Sequence, residues 1–390
     1  MKKTILILTN DASRTGAPIL LLNIIEWLKD NSDYNFVFLM QKNGKELLED
    51  YEKLGKVYFW KSIINLGFEK STYGLFFIKG LKKFKILSDK FLARNFLNKI
   101  QSQNNIVLTY CNTSINGYLL MCFGNSLKSS ILTHIHEGEK SLQMYNKNNY
   151  VDFNFEVSTA FIAVSNSVKQ VLISKYGITK DIKVIPGAVR SNLKPNLDYD
   201  LKKSLNINSD KKILMCCGWL DWHKGTDFFM QLAFKISKIR NDIVLVWVGG
   251  HDNDSVNVQM RYDIQKMNLE HCIKLISNTP NVFDYMQIAD IFLMLSRDES
   301  FSLVTVEAGL AKKPVLCFDK SGGPCEIVNQ DSRFIVPYGD IDFLLNRIIW
   351  LIDNQPERKI MGEYLYERVI NNYTIDKTAP QILSQIESLI

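Results

Sequence analysis

Short apolar runs alternate with helix-patterned segments along this chain, and the alternation happens twice, on either side of a polar stretch from Arg190 to Asp210. In the first round the strand-like runs are Thr4–Thr9, Tyr34–Met40, Val57–Trp60, Asn105–Cys111, Ser130–Ile135 and Phe161–Ser165. Helical periodicity lies between them, as in Gly16–Lys29, where Ile19, Leu22, Asn23, Ile24 and Leu28 are available for packing, and in Gly44–Leu54. In the second round the runs are Lys212–Cys217, Ile243–Gly249, Ile273–Ser277, Ile291–Leu295, Pro314–Phe318 and Phe334–Val336. Helices are expected near 225–239, 255–268, 281–288, 302–311, 324–329 and 341–353. Strand–helix alternation of this kind specifies an α/β fold with parallel, doubly wound sheets. A length of 390 residues exceeds what one core usually serves. The expected organisation is an N-terminal domain over 1–188, a linker over 189–210 and a second domain over 211–371. A C-terminal helix over 372–390 is expected to return to the first domain. Two successive doubly wound domains place the expected active site in a cleft between them.

Bulk properties narrow the function classes. Hydrophobic content of 46% and charged content of 23% are those of an ordinary soluble globular protein. A net charge of +6 over this length is mild and gives no reason to expect nucleic acid as a partner. The seven cysteines include no CxxC pair and several sit within apolar runs, so they read as reduced core residues of a cytosolic protein. The N-terminal apolar run ends at Asn10-Asp11 and reads as a first strand, not a signal peptide. Nothing approaches the roughly 18 uninterrupted apolar residues of a membrane span. The expected location is the cytoplasm.

One segment points toward a surface. Residues 56–100 hold ten Lys or Arg against Glu69 and Asp89, with Phe76, Phe77, Phe84, Phe91 and Phe96 interleaved. A basic amphipathic helix suits an anionic membrane, which would make the protein peripheral at the inner face of the cell membrane. The same phenylalanines equally suit a domain core.

The chemistry concentrates in the turn that follows Ile291–Leu295. The apolar run breaks at Ser296-Arg297-Asp298, and helical periodicity resumes near Ser302, with Glu299 and Glu307 bracketing the turn. Open α/β sheets bind ligands where a strand ends in such a turn and opens a helix. The first helical N–H groups attract phosphate there, and carboxylates hydrogen-bond sugar or ribose hydroxyls. A second turn, Gly218-Trp-Leu-Asp-Trp-His-Lys224-Gly, leads from the first strand of the second domain into a helix. A lysine at that helix start can neutralise a diphosphate. At the end of Ser130–Ile135 stand His134 and His136; metal binding would need a third ligand, which the local sequence supplies only as Glu137 or Glu139, so this polar group suits substrate contact better. The first βα turn has a single glycine, Gly16, so a GxGxxG dinucleotide fingerprint is absent. Singly, these acids, the lysine and the histidines also read as ordinary surface groups.

Together they resemble a family. Lys224-Gly225, Val248-Gly249-Gly250 and Glu299-Ser-Phe-Ser-Leu-Val-Thr-Val-Glu307-Ala are similar to the retaining glycosyltransferases of family 4, which have the two-Rossmann GT-B fold. The likeness extends to Gly16-Ala17, His136-Glu137, Pro186-Gly187 and Tyr373-Thr374. The resemblance implies that the second domain binds a nucleotide-diphosphate sugar. Glu307 would hold ribose hydroxyls and Lys224 the diphosphate, with Trp219 and Gly249 alongside. Glu299, with Ser300 and the backbone of Phe301, Ser302 and Leu303, would hold the transferred sugar and phosphate. Gly16 and Ala17 would let the N-terminal loop approach the diphosphate. His136 would stand by the anomeric carbon, with His134 and Glu137 on the acceptor side.

His136, Glu299 and Lys224 are thus the expected catalytic residues, with no metal and no cofactor beyond the sugar nucleotide. The implied reaction transfers a sugar, with retention, to a glycan or lipid-linked acceptor in bacterial surface polysaccharide synthesis (O-antigen, capsule or lipopolysaccharide). One departure stands out: the family usually has Arg where this chain has Trp219, leaving Arg14, His223 and Arg297 as substitute cations. Two other functions remain open, a non-catalytic GT-B partner subunit and a GT-B sugar-nucleotide epimerase.

Overall fold

The structure, a computed structural model, describes residues 2–41, 44, 46–60, 92–146, 149–196 and 200–390. It divides into two compact units, Met1–Ile185 with Ala379–Ile390, and Pro186–Thr378.

The first unit runs β1 (Lys3–Thr9), α1 (Gly16–Asn31), β2 (Asn35–Met40), α2 (Leu48–Leu54) and β3 (Lys56–Phe59), then helical residues 92–103 as α3. It continues with β4 (Asn105–Asn112), α4 (Gly117–Phe123), β5 (Ser130–Ile135), α5 (Glu139–Tyr145), α6 (Tyr150–Val157), β6 (Ala160–Ala163), α7 (Asn166–Tyr176) and β7 (Ile182–Val184). These seven strands form one parallel sheet in the order β3-β2-β1-β4-β5-β6-β7. The interiors of β1 and β2 are buried along their whole length, as a parallel sheet covered on both faces requires.

The second unit runs α8 (Leu201–Ser204), β8 (Lys212–Cys217), α9 (Thr226–Ser237), β9 (Ile243–Val248), α10 (Ser255–Lys266), β10 (Ile273–Ile276) and α11 (Val282–Ile288). There follow β11 (Ile291–Met294), α12 (Leu303–Leu310), β12 (Val315–Phe318), α13 (Gly323–Ile327), β13 (Ile335–Val336), α14 (Ile341–Asp353), α15 (Gln355–Asn372) and α16 (Ile375–Glu387). Its sheet is also all parallel, in the order β10-β9-β8-β11-β12-β13. Every residue of β9, β11 and β12 is buried, which is why their sequences read as unbroken apolar runs. Both units therefore have the doubly wound parallel architecture expected from the alternation.

Two elements had no clear sequence signal. β7 is three residues long, with one buried residue, Ile182. In α15 the buried residues are Arg358, Met361, Gly362, Leu365 and Val369, so the apolar stripe is one narrow row four residues apart. Residues 189–210, polar enough to read as a linker, belong to the second unit. There Val189 bridges Thr374, and Asp200 caps α8 by accepting from Lys203 N.

The basic segment over 56–100 lies outside the described residues from 61 to 91. Its described end is amphipathic. Ala93, Leu97 and Ile100 are buried with Trp60 and Phe123, and Phe96 packs 5.5 Å from Trp60, while Arg94 and Lys99 are exposed. Among the described residues, no helix is long and apolar enough to cross a membrane.

Candidate functional site

In each sheet the winding reverses between two neighbouring strands, β1 and β4 in the first unit, β8 and β11 in the second. Loops leaving the C-terminal ends of such a pair diverge and open a crevice, the ligand position of doubly wound sheets. Gly16 and Ala17 follow β1, and Lys224 and Glu299 follow β8 and β11, while His134, His136 and Glu137 leave the neighbouring strand β5 and Gly249 follows β9.

In the second unit, the loop after β8 carries Lys224 and the loop after β11 carries Glu299. The Lys224 ammonium donates directly to Oε1 of Glu299, with side-chain exposures of 23% and 11%. Burial alone would raise the Glu299 pKa. The Lys224 charge and hydrogen bond, helped by the Ser296 hydroxyl and the His223 charge, outweigh it and hold the carboxyl below its ordinary value. Burial likewise works against the Lys224 charge, and Glu299 overcomes it, keeping the ammonium protonated above its usual range.

The backbone makes this pair possible. Lys224 N donates to Oδ1 of Asp221 at 2.8 Å. Gly225 follows with φ +81°, and a Cβ there would lie 2.2 Å from the Leu295 carbonyl oxygen, so only glycine lets the two loops close up. Gly249 is constrained in the same way, with φ +127° and Gly218 O only 2.3 Å from where a Cβ would sit.

Glu299 is also tied to the next loop of the sheet. Its N–H donates to Ser321 O and its carbonyl accepts from Gly323 N, both at 2.8 Å. The chain then passes Ser300 and Phe301, whose ring lies against Gly187 and edge-on to Tyr373 at 5.6 Å. Ser302 takes φ 87°, a left-handed conformation uncommon for a residue with a Cβ, and its hydroxyl accepts from Thr305 N at 3.3 Å to cap α12. Leu303 begins that helix. Glu307 lies a turn further on, close enough to Cys217 at the end of β8 for its charge to add to burial in raising that thiol. Burial pushes the Glu307 carboxyl itself up to about 7. Glu299, Lys224 and Glu307 therefore gather at the C-terminal end of β8, one carboxylate firmly ionised and the other poised near neutrality.

The remaining neighbour, Trp219, is 45% exposed and edge-on to His251 at 5.1 Å. Of the three substitute cations, Arg297 is committed elsewhere. It makes a bidentate pair with Asp227 at 2.9 and 2.7 Å, lies between the rings of Trp222 and Phe228 at 4.2 and 4.1 Å, and donates to the Trp222 carbonyl. Arg14 belongs to the first unit, where its N–H donates to Glu46 at 2.7 Å. His223 stands beside Glu299, where its charge helps hold that carboxyl down.

In the first unit, Gly16 and Ala17 open α1, after a loop held by Asp11, whose carboxylate accepts from Ser13 N at 3.1 Å and Ser13 Oγ at 2.7 Å. His134 and His136 leave the end of β5 with their rings in contact and tilted by 38°, centroids 4.1 Å apart. Burial drives both pKa values down, His136 to about 3, so both imidazoles are neutral. The Glu137 carboxylate accepts from Ser114 N at 3.2 Å and His136 N at 3.1 Å. Among the described residues, no three His, Cys, Asp or Glu groups are placed to hold a metal ion.

The sequence reading missed Asn112 to Asn116. Asn112 accepts from His136, and its carbonyl accepts from Asn116 Nδ2. The signal was present: an apolar run breaking at Asn-Thr-Ser is the same strand-to-polar-turn pattern that marked Ser296-Arg297-Asp298.

Residues 199–368 match the family described as Glycosyl transferases group 1, so the second unit carries a domain of that kind. The chain is 26% identical to N-acetyl-alpha-D-glucosaminyl L-malate synthase of Bacillus anthracis over 62% of its length and 62% of that protein's. It is 25% identical to UDP-Gal:alpha-D-GlcNAc-diphosphoundecaprenol alpha-1,3-galactosyltransferase of Escherichia coli over 59% of its length and 60% of that protein's. The match thus spans about 60% of the length of these curated relatives. Among solved structures, Anabaena Alr3699/HepE in complex with UDP is similar over 100% of both chains, with a TM-score of 0.78 at 18% identity. The same protein in complex with UDP-glucose gives 0.78 at 17% identity, covering 99% of this chain and 100% of that one. Likeness at these identities shows the fold, the two-Rossmann GT-B architecture.

Proposed function

We propose that this chain is a retaining glycosyltransferase that moves a sugar from a nucleotide-diphosphate sugar to a glycan or lipid-linked acceptor. The observation that carries the reading is the Lys224–Glu299 ion pair at the switch point of the second sheet, with Glu307 beside it. In the reaction, the bond from the anomeric carbon to the diphosphate oxygen breaks and its electron pair leaves with the diphosphate. An acceptor hydroxyl forms the new bond and loses its proton. Charge grows on the diphosphate, so a fixed ammonium and helix N–H groups favour the transition state over the ground state. Lys224 fills that role, with Gly249 and Trp219 bordering the same loops. Glu299, Ser300 and the backbone of Phe301, Ser302 and Leu303 hold the sugar and its phosphate. Glu307 accepts from the ribose hydroxyls. Gly16 and Ala17 approach the diphosphate, and His136, with His134 and Glu137, serves the reacting sugar and the acceptor.

Binding and turnover of a panel of UDP-, GDP- and ADP-sugars tests the reading, with UDP-sugars first because the Anabaena protein of this fold was crystallised with UDP and UDP-glucose. Neither binding nor hydrolysis of any donor would sink it. Turnover is expected to survive excess EDTA, because the cationic groups come from the protein. We place the enzyme in the cytoplasm, in bacterial surface polysaccharide assembly, with residues 56–100 touching anionic lipid. That placement requires co-sedimentation with anionic liposomes that falls as salt rises.

Trp219 in the usual arginine position favours a second reading, a non-catalytic partner of another glycosyltransferase. Full biological function in a Lys224→Ala, Glu299→Ala double variant would support that partner role and contradict catalysis by this chain.

A further inference from the structure

Asn112, the last residue of β4, is 1% exposed, and its Oδ1 lies 2.9 Å from Nε2 of His136. A carboxamide oxygen can only accept, so the imidazole nitrogen that faces it must carry the proton. Because burial keeps His136 neutral, the ring has one proton to place, and Nδ1 is left with a lone pair.

The rest of the surroundings hold the ring still. The ring lies against His134, tilted by 38° with centroids 4.1 Å apart, and Nδ1 of His134 is in turn hydrogen-bonded to the buried Tyr110 hydroxyl. The His136 backbone N–H is fixed on Glu137. The backbone after Asn112 is pinned, while the amide's own Nδ2 is buried and makes no hydrogen bond among the described residues, so His136 Nε2 is the side-chain group that engages this carboxamide. Thr113 N donates to His134 O at 2.9 Å while Thr113 adopts φ 88°, a left-handed value costly for a β-branched residue. Strain of this kind persists only where the neighbours over-determine the backbone. His136 itself reaches the surface, being only partly buried.

We propose that Asn112 is a positioning residue: it fixes His136 as the Nε2–H tautomer, so that Nδ1 is the nitrogen that accepts from a substrate hydroxyl. The inference rests on the proposed function in giving His136 a substrate, but the tautomer can be read without one. In the full chain labelled with ¹⁵N-histidine, long-range proton–nitrogen correlation distinguishes the protonated ring nitrogen from the bare one. The expected spectrum has His136 protonated at Nε2 in the wild type and in Asn112→Asp, which keeps an acceptor oxygen. In Asn112→Leu the two tautomers should mix. With a donor that turns over, Asn112→Leu should lower kcat about tenfold or more with donor KM little changed, as loss of an orienting partner does, and Asn112→Asp should recover most of it.

A wild-type His136 protonated at Nδ1 overturns the proposal, as does an unchanged tautomer in folded Asn112→Leu. If that variant does not fold, the wild-type and Asn112→Asp spectra still decide. Failure to find any transferase activity would count against the proposed function and leave the tautomer result standing.

Discussion

The ammonium of Lys224 donates to the carboxylate of Glu299 from a loop 75 residues away in sequence, where the loops after β8 and β11 meet. Both side chains are largely buried, so removing one strands the other's charge. Lys224→Ala and Glu299→Ala are each expected to destabilise the protein by about 3 kcal/mol in urea unfolding. The Lys224→Met, Glu299→Gln double variant should cost less than the sum of the singles. The Glu299 pKa is depressed in the folded protein, so its contribution is complete above the ordinary carboxylate value of 4.5 and fades as pH falls below it. The Lys224 pKa is raised, so its contribution is complete below 10.5 and fades at higher pH.

Glu307 has the opposite sign. Its folded pKa of about 7 exceeds the unfolded 4.5, so the folded state holds the proton more tightly and loses stability as pH rises from 4.5 to 7. Glu307→Gln should therefore raise the Tm of the free protein at pH 8 and leave it nearly unchanged at pH 4.5. Thermal unfolding at the two pH values checks this, and equal effects at both would contradict the assigned burial.

Ser302 sets its cap against its backbone. Glycine at an N-cap costs only a few tenths of a kcal/mol relative to serine, while relief of a left-handed φ is worth about 1 kcal/mol. Ser302→Gly is expected to be neutral or stabilising by about 0.5 kcal/mol, and Ser302→Ala, which keeps the φ and loses the cap, to destabilise by about 1 kcal/mol. Chemical denaturation of the three proteins gives the order.

Trp219 lies on the loop after β8, and Arg297 is paired with Asp227. On the proposed function, Trp219→Arg adds a charge-assisted contact to the diphosphate and should tighten UDP about tenfold. Titration calorimetry measures it, and the gain should shrink in high salt. Unchanged affinity would mean that this position does not face the phosphates.

Much of the architecture was legible because its signals are local. A strand buried on both faces must be apolar at every position, so Ile243–Val248 and Ile291–Met294 announce themselves whatever they pair with. The polar turns that hold Lys224, Glu299 and His136 were legible for the same reason, because each interrupts an apolar run at a strand end. Elements whose burial is partial, such as β7 and α15, carry too few apolar residues to stand out.

Sequence by itself determined the two α/β sheets and where polar turns interrupt them, because side-chain periodicity depends on each segment's own faces. Only the tertiary structure decided strand order, and with it that β8 and β11 are neighbours whose loops join Lys224 to Glu299. It also decided charge and protonation. Arg297 is a free cation in one dimension and half of a stacked, bidentate pair in three. Glu299 and Glu307 are the same residue type on one short stretch, yet an ammonium beside one and bare burial around the other move their pKa values apart. Electrostatic energies follow distance and solvent exclusion, and neither is written in the order of the residues.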